Sequence, residues 1–170
     1  PMHRATEYKR ALNATKLDKV FAKPFCGAFE GHSDGILSLA KNTQNLKQMA
    51  SGAADGEIRV WDCPSRKALR ILNSHSGAIR GLSFDRTGGK LVSCSDDRSI
   101  RIWNVPEAEL GELGSRETRR EERPAMVVAG ESAYRDVDCH WGKDMFATAG
   151  NCVDLWDMNK DAPVSSFEWG

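Results

Sequence analysis

Apolar and polar positions alternate in short runs along most of this chain. Ile58 and Val60 bracket Arg59, and Ile100 and Ile102 bracket Arg101. This is the period-two pattern of strands whose two faces meet different surroundings. Such runs predict strands at 36–40, 49–53, 57–61 and 68–72, then at 78–84, 90–94, 100–103 and 125–129. A third set falls at 133–141, 145–149, 152–157 and 164–167. Residues 1–23 lack this alternation. There Glu7-Tyr8-Lys9-Arg10-Ala11-Leu12 predicts a short helix, which Asn13-Ala14-Thr15 is poorly suited to extend. Residues 106–124 mix both charge signs with little apolar content and predict an exposed loop or short helix.

The strand sets repeat in register. Ser51-Gly52-Ala53-Ala54-Asp55-Gly56-Glu57-Ile58-Arg59-Val60-Trp61-Asp62 recurs as Ser93-Cys94-Ser95-Asp96-Asp97-Arg98-Ser99-Ile100-Arg101-Ile102-Trp103-Asn104. His32 precedes Trp61 by 29 positions, His75 precedes Trp103 by 28, and the two Trp residues are 42 apart. Four short strands per repeat of this length resemble the blades of a WD40 β-propeller. The expected fold is therefore all-β, with about three blades from a larger ring. Its parts are a basic arm at 1–23 and propeller at 24–170, with a ring-closing strand at 24–30. Blade one is 31–73, blade two 74–130 with the charged insertion 106–124, and a degenerate blade three 131–170.

The repeat also carries chemistry. An indole N–H can donate to a serine hydroxyl on the neighbouring strand, which donates to a histidine whose other nitrogen meets a turn aspartate. This tetrad is expected at Trp61, Ser51, His32 and Asp55, and again at Trp103, Ser93, His75 and Asp97. A Ser-His-Asp set also suits nucleophilic catalysis, but geometry identifies a triad and residue types alone do not. A serine tied to a tryptophan points to a brace and a chain that is not an enzyme. Blade three keeps Trp156-Asp157 but has no Gly-His and no turn aspartate at Gly150-Asn151, so its tetrad is expected to be missing.

Charge and cysteine content narrow the picture. With 24 basic and 24 acidic residues, the whole chain gives no electrostatic direction to a partner. The arm does: Arg4, Lys9, Arg10, Lys16, Lys19 and Lys23 stand against Glu7 and Asp18. Lys9, Arg10, Lys16, Lys19 and Lys23 form a candidate RNA- or particle-binding arm, the alternative being a solvated tail. Arg59, Arg66, Lys67, Arg70 and Arg80 suggest either a basic rim or the solvated face of outer strands. The cysteines at 26, 63, 94, 139 and 152 make no C-x-x-C pair and are expected to be reduced thiols. Asp138-Cys139-His140 lacks a second ligand cluster, and neighbouring strand residues point to opposite faces, so no metal or cofactor is expected. No apolar run is long enough for a membrane helix, and no signal-peptide pattern opens the chain.

A more specific resemblance lies outside the repeat. Residues 7–25, beginning Glu7-Tyr8-Lys9-Arg10-Ala11-Leu12-Asn13-Ala14-Thr15-Lys16, resemble the suppressor-of-fibrillarin proteins, whose animal members are called cullin-4-associated factor 13. The Ser51–Trp61 stretch and the closing Phe167-Glu168-Trp169-Gly170 resemble them too. The resemblance implies a seven-bladed propeller in the nucleolar small-subunit processome. The implied partners are processome proteins, U3 small nucleolar RNA and pre-18S ribosomal RNA, in the service of ribosome biogenesis. It implies no small-molecule substrate and no membrane. The alternative is a substrate receptor of a cullin-4 ubiquitin ligase. Such receptors often carry Trp-Asp-x-Arg, and Trp61-Asp62-Cys63-Pro64, Trp103-Asn104-Val105-Pro106 and Trp156-Asp157-Met158-Asn159 do not supply it.

Overall fold

The computed structural model describes residues 2–21, 27–73, 75–105, 119–121 and 123–168. A helix α1 (Met2–Phe21) precedes strands β1 (Ile36–Lys41), β2 (Gln48–Ala53), β3 (Glu57–Asp62) and β4 (Lys67–Asn73). Next come β5 (Ile79–Phe84), β6 (Lys90–Ser95), β7 (Ser99–Asn104), a short β8 (Arg119–Glu121) and β9 (Met126–Ala129). The last four are β10 (Asp136–Cys139), β11 (Met145–Ala149), β12 (Val153–Asp157) and β13 (Pro163–Phe167). They form three antiparallel meanders, β1-β2-β3-β4, β5-β6-β7-β9 and β10-β11-β12-β13. This is the partial all-β propeller that the strand periodicity predicts.

The blades pack face to face through the apolar half of each alternation. One core joins blades one and two through Ile58, Val60 and Leu72 against Ile79, Leu91 and Trp103. A second joins blades two and three through Val92, Ile100 and Ile102 against Val137, Phe146 and Trp156. Close approach of the inner strands requires a missing side chain: a Cβ on Gly81 of β5 would lie 2.6 Å from the Val137 amide of β10. In the β2–β3 turn Gly56 has φ +87°, and a Cβ there would meet the His75 carbonyl at 2.4 Å. Arg98, at the matching place in blade two, takes φ 64° without being glycine.

Four expectations change. The arm helix is longer than predicted: α1 runs through Asn13, and Thr15 Oγ1 donates back to the Ala11 carbonyl at 2.7 Å, so its hydroxyl is satisfied within the helix. Residues 27–30 of the expected ring-closing strand join no sheet among the described residues, and Phe29 packs edge-on against Trp61 of blade one at 5.5 Å; residues 24–26 lie outside the described residues. The insertion is not all loop or helix. Its residues 119–121 form β8, a fifth strand laid parallel on β4 with Ile71 opposite Arg120. Residues 106–118 and 122 lie outside the described residues. Finally, the first strand of blade three stops at Cys139, which leaves His140 and Trp141 in the following turn.

Candidate functional site: the Trp-Ser-His-Asp networks and the basic helix

In blade two the pleat brings Ser93 of β6 beside Trp103 of β7 on one face. Trp103 Nε1 donates to Ser93 Oγ at 2.9 Å. Ser93 Oγ lies 2.8 Å from His75 Nε2, and His75 Nδ1 lies 2.9 Å from Asp97 Oδ2. The carboxylate fixes the tautomer: Nδ1 carries the proton and Nε2 accepts from the serine. Ser99 Oγ donates to Asp97 Oδ1 at 2.6 Å and sits 3.2 Å from His75 Nδ1. The Ser76 and Ser99 amides complete the Asp97 shell at 3.1 and 2.9 Å. The expected tetrad is closed.

Its electrostatics follow from burial and pairing. Burial opposes ionisation of Asp97, yet hydrogen bonds from Ser99 and His75 and the charge of His75 hold its pKa down at about 2. Burial lowers the His75 pKa below its ordinary value, with Asp97 pulling the other way. Ser93 is 0% exposed, and its oxygen already accepts from the indole. A substrate carbonyl has no approach to this hydroxyl, so the set braces the blade and does not form a nucleophilic triad.

Blade one makes only part of the same network. Trp61 Nε1 donates to Ser51 Oγ at 2.7 Å, and Ser51 Oγ lies 2.6 Å from His32 Nε2. The link from His32 to Asp55 is not made, contrary to expectation. Asp55 accepts instead from Ser33 Oγ at 2.9 Å and from the Glu57 amide at 3.0 Å. His32 Nδ1 is buried without a hydrogen-bond partner among the described residues, and Glu57 Oε1 stands 3.4 Å away. The physical reason is one position: Ser99, which bridges histidine and aspartate in blade two, is Glu57 in blade one, and Glu57 pairs with Arg59. Burial and the Arg59 charge lower the His32 pKa, opposed by Glu57 and Asp55.

Blade three keeps one link that residue types did not announce. Trp156 Nε1 donates to Thr148 Oγ1 at 2.8 Å. The β11–β12 turn is shorter, so the hydroxyl sits 8 residues before the tryptophan rather than 10. Pairing Trp156 with the nearest upstream hydroxyl of β11 would have found it. Beside it Phe146 stacks on Trp156 at 6.0 Å.

Among the arm residues, Lys9, Arg10, Lys16 and Lys19 are exposed on α1, while Lys23 lies outside the described residues. Tyr8, Leu12 and Lys19 share a helix face, with Tyr8 69% exposed. Of the suggested rim residues, Arg59 turns to Glu57, and Arg80 pairs with Asp96 at 2.6 Å. Cys63, Cys94, Cys139 and Cys152 are free thiols, and burial pushes Cys94 and Cys139 up to about 12. Cys26 lies outside the described residues. Asp138 accepts from Ser83, and His140 Nδ1 accepts from backbone amides. No described helix is long and apolar enough to cross a membrane.

Comparison with known proteins agrees with the fold. Residues 24–62 and 66–104 match the family described as WD domain, G-beta repeat. The chain is 39% identical over 170 residues to DDB1- and CUL4-associated factor 13 of Mus musculus, and 40% identical over 171 residues to Protein sof1 of Schizosaccharomyces pombe. In both cases all of this chain aligns with 36% of the relative. A chain in the structure of Chaetomium thermophilum Polycomb Repressive Complex 2 bound to GSK126 superposes with TM-score 0.67 at 22% identity, over 75% of this chain and 30% of that one. That likeness concerns the fold alone.

Proposed function

The chain is a WD40-repeat homologue of DDB1- and CUL4-associated factor 13 and Sof1, and from that premise we propose that it is part of a non-catalytic scaffold in assembly of the small ribosomal subunit. The full protein would work in the nucleolus, within the small-subunit processome and beside U3 small nucleolar RNA, during maturation of 18S ribosomal RNA. The observation that carries the scaffold reading is the buried Trp103–Ser93–His75–Asp97 network, in which each chemically suggestive group is already spent on holding two strands together. The exposed cations of α1 support docking on a polyanionic particle.

Depletion of the full-length protein, followed by rescue, tests this reading. Loss should stall 18S maturation, and a Ser51→Ala, Ser93→Ala double variant should restore it at a temperature where it stays folded. A folded, particle-bound double variant that fails to restore maturation would point to catalysis. A second reading rests on the relatives' name, DDB1- and CUL4-associated factor 13: the full protein presents substrates to a cullin-4 ligase. Co-purification of the full-length protein with DDB1 in place of pre-ribosomal RNA would favour it.

A further inference from the structure

The chain as a whole is charge-balanced, but one groove in it carries a single sign. A space of about 680 Å³ lies between blades two and three, lined by Glu131, Asp154, Asp161 and Glu168 and by no Lys or Arg. The cations closest in sequence to Glu131 and Asp161 turn elsewhere: Arg135 pairs with Asp96 at 3.1 Å, and Lys160 with Asp157 at 3.6 Å. One wall is the face of β12 that holds Asp154 beside Trp156, with Trp156 packed in the core between the two blades. Ser166 of β13 stands opposite Asp154 on that wall. The other wall is the end of β9 and the turn that follows it.

Two buried polar groups in the groove lack a strong partner. Tyr134 is 5% exposed, yet its hydroxyl makes no hydrogen bond among the described residues. That hydroxyl lies against Gly130 on the groove wall, where a Cβ would collide with it. Asp154 is 8% exposed, and among the described residues only the Cys152 thiol, a weak donor, reaches its oxygens, at 3.4 and 3.5 Å. Buried groups of this kind are normally satisfied, and here the missing donors must come from outside the chain. The field in the groove is negative as well. A hydrogen bond to Asp154, burial, and the Asp154 and Glu168 charges push the Cys152 thiol up. Burial and then the Asp154 charge push the Tyr134 phenol up.

We propose that this groove binds a basic peptide segment of a partner protein, one lysine or arginine head reaching the Asp154 carboxylate and the Tyr134 hydroxyl. Glu131, Asp161 and Glu168 hold the flanking cations of the same segment. Charge selects this occupant. A polynucleotide would bring phosphates against four carboxylates. A metal ion needs ligands that converge, and no three His, Cys, Asp or Glu groups among the described residues do so. Carboxylates spread along a groove instead match cations spaced along a chain. The proposal adds a protein-facing surface to the scaffold and does not depend on the RNA association argued above.

The test uses the full-length protein and a fluorescein-labelled short peptide of alternating arginine and glycine, with a glutamate-glycine peptide as control. Asp154→Asn should weaken binding of the basic peptide roughly 10- to 100-fold, and Tyr134→Phe about 2- to 10-fold. Asp34→Asn removes an exposed charge in blade one and should hardly change it. Both groove variants keep the size of the side chain and give up no strong internal bond, so their melting temperatures should stay at the wild-type value. Should Asp154→Asn fail to fold, Tyr134→Phe decides alone. A wild-type protein that binds the basic peptide no better than the acidic one overturns the proposal. So does wild-type affinity in the groove variants, or a loss no larger than that of Asp34→Asn, which would reflect net charge only. Single-stranded RNA whose binding is weakened by Tyr134→Phe would give the groove to nucleic acid, and that result also overturns the proposal.

Discussion

At the scale of the residue, a single side chain separates a closed network from an open one. Ser99 bridges His75 and Asp97, while Glu57 in the matching position turns to Arg59 and leaves His32 Nδ1 without a hydrogen bond among the described residues. Asp97→Ala should therefore destabilise the full-length protein by about 1–3 kcal/mol, since it strands a buried imidazole N–H. Asp55→Ala should cost less, because its histidine link is already absent. Equal losses in chemical denaturation would contradict this asymmetry. Acid should expose the same network. The His75 pKa is lowered from 6.5 by burial, so the unfolded chain takes up its proton at higher pH than the folded one does. Stability present above pH 6.5 is then lost as pH falls through that value toward the folded pKa. Asp97, at about 2 against an ordinary 3.8, contributes fully above 3.8 and loses its contribution between those two values. The melting temperature of the full-length protein should fall steadily on acidification, and His75→Gln should flatten the first part of that fall. On acidification, a profile that rises between pH 6.5 and 3.8 would contradict the His75 assignment, and one that rises below 3.8 the Asp97 assignment. The tetrad residues were legible from spacing because identical turns put identical groups together. The broken link was not, since Glu57 acts through a charge partner that no spacing rule contains.

Elements formed where alternation was clear and drifted where charge dominated. In β3 and β7 the arginines at every second place, between Ile58 and Val60 or Ile100 and Ile102, separate two faces, and the strands fall within a residue or so of expectation. The helix α1 extends past Asn13 because modest propensity costs of a few tenths of a kcal/mol are outweighed by good helix formers on both sides. Strand β8 was not legible at all: parallel pairing of Arg119–Glu121 on β4 is a long-range backbone event with no apolar signature of its own. Such pairing also covers part of an outer sheet edge, which otherwise presents unpaired N–H and C=O groups. For α1, function is expected to follow charge. Replacing Lys9, Arg10, Lys16 and Lys19 by Gln should weaken RNA association of the full-length protein. The logarithmic salt slope should flatten by up to about 0.7 for each phosphate that the arm no longer neutralises. Circular dichroism should show the propeller intact. An unchanged salt slope would make the arm a solvated tail.

The whole molecule is a set of blades whose inner faces are packed and whose outer faces are not. Ile36 and Leu37 on β1 and Val164 and Phe167 on β13 are about half exposed, and the chain spans 36% of the length of the relatives it matches. On the proposed reading the exposed cations of α1 meet the particle, while the hydrogen-bonded tryptophans brace the blades. The measurement that tests this account most directly is ultraviolet crosslinking of the tagged full-length protein in cells, with sequencing of the attached RNA. The account predicts recovery of U3 and pre-18S RNA above background. A well-expressed, nucleolar protein that yields neither RNA would contradict it.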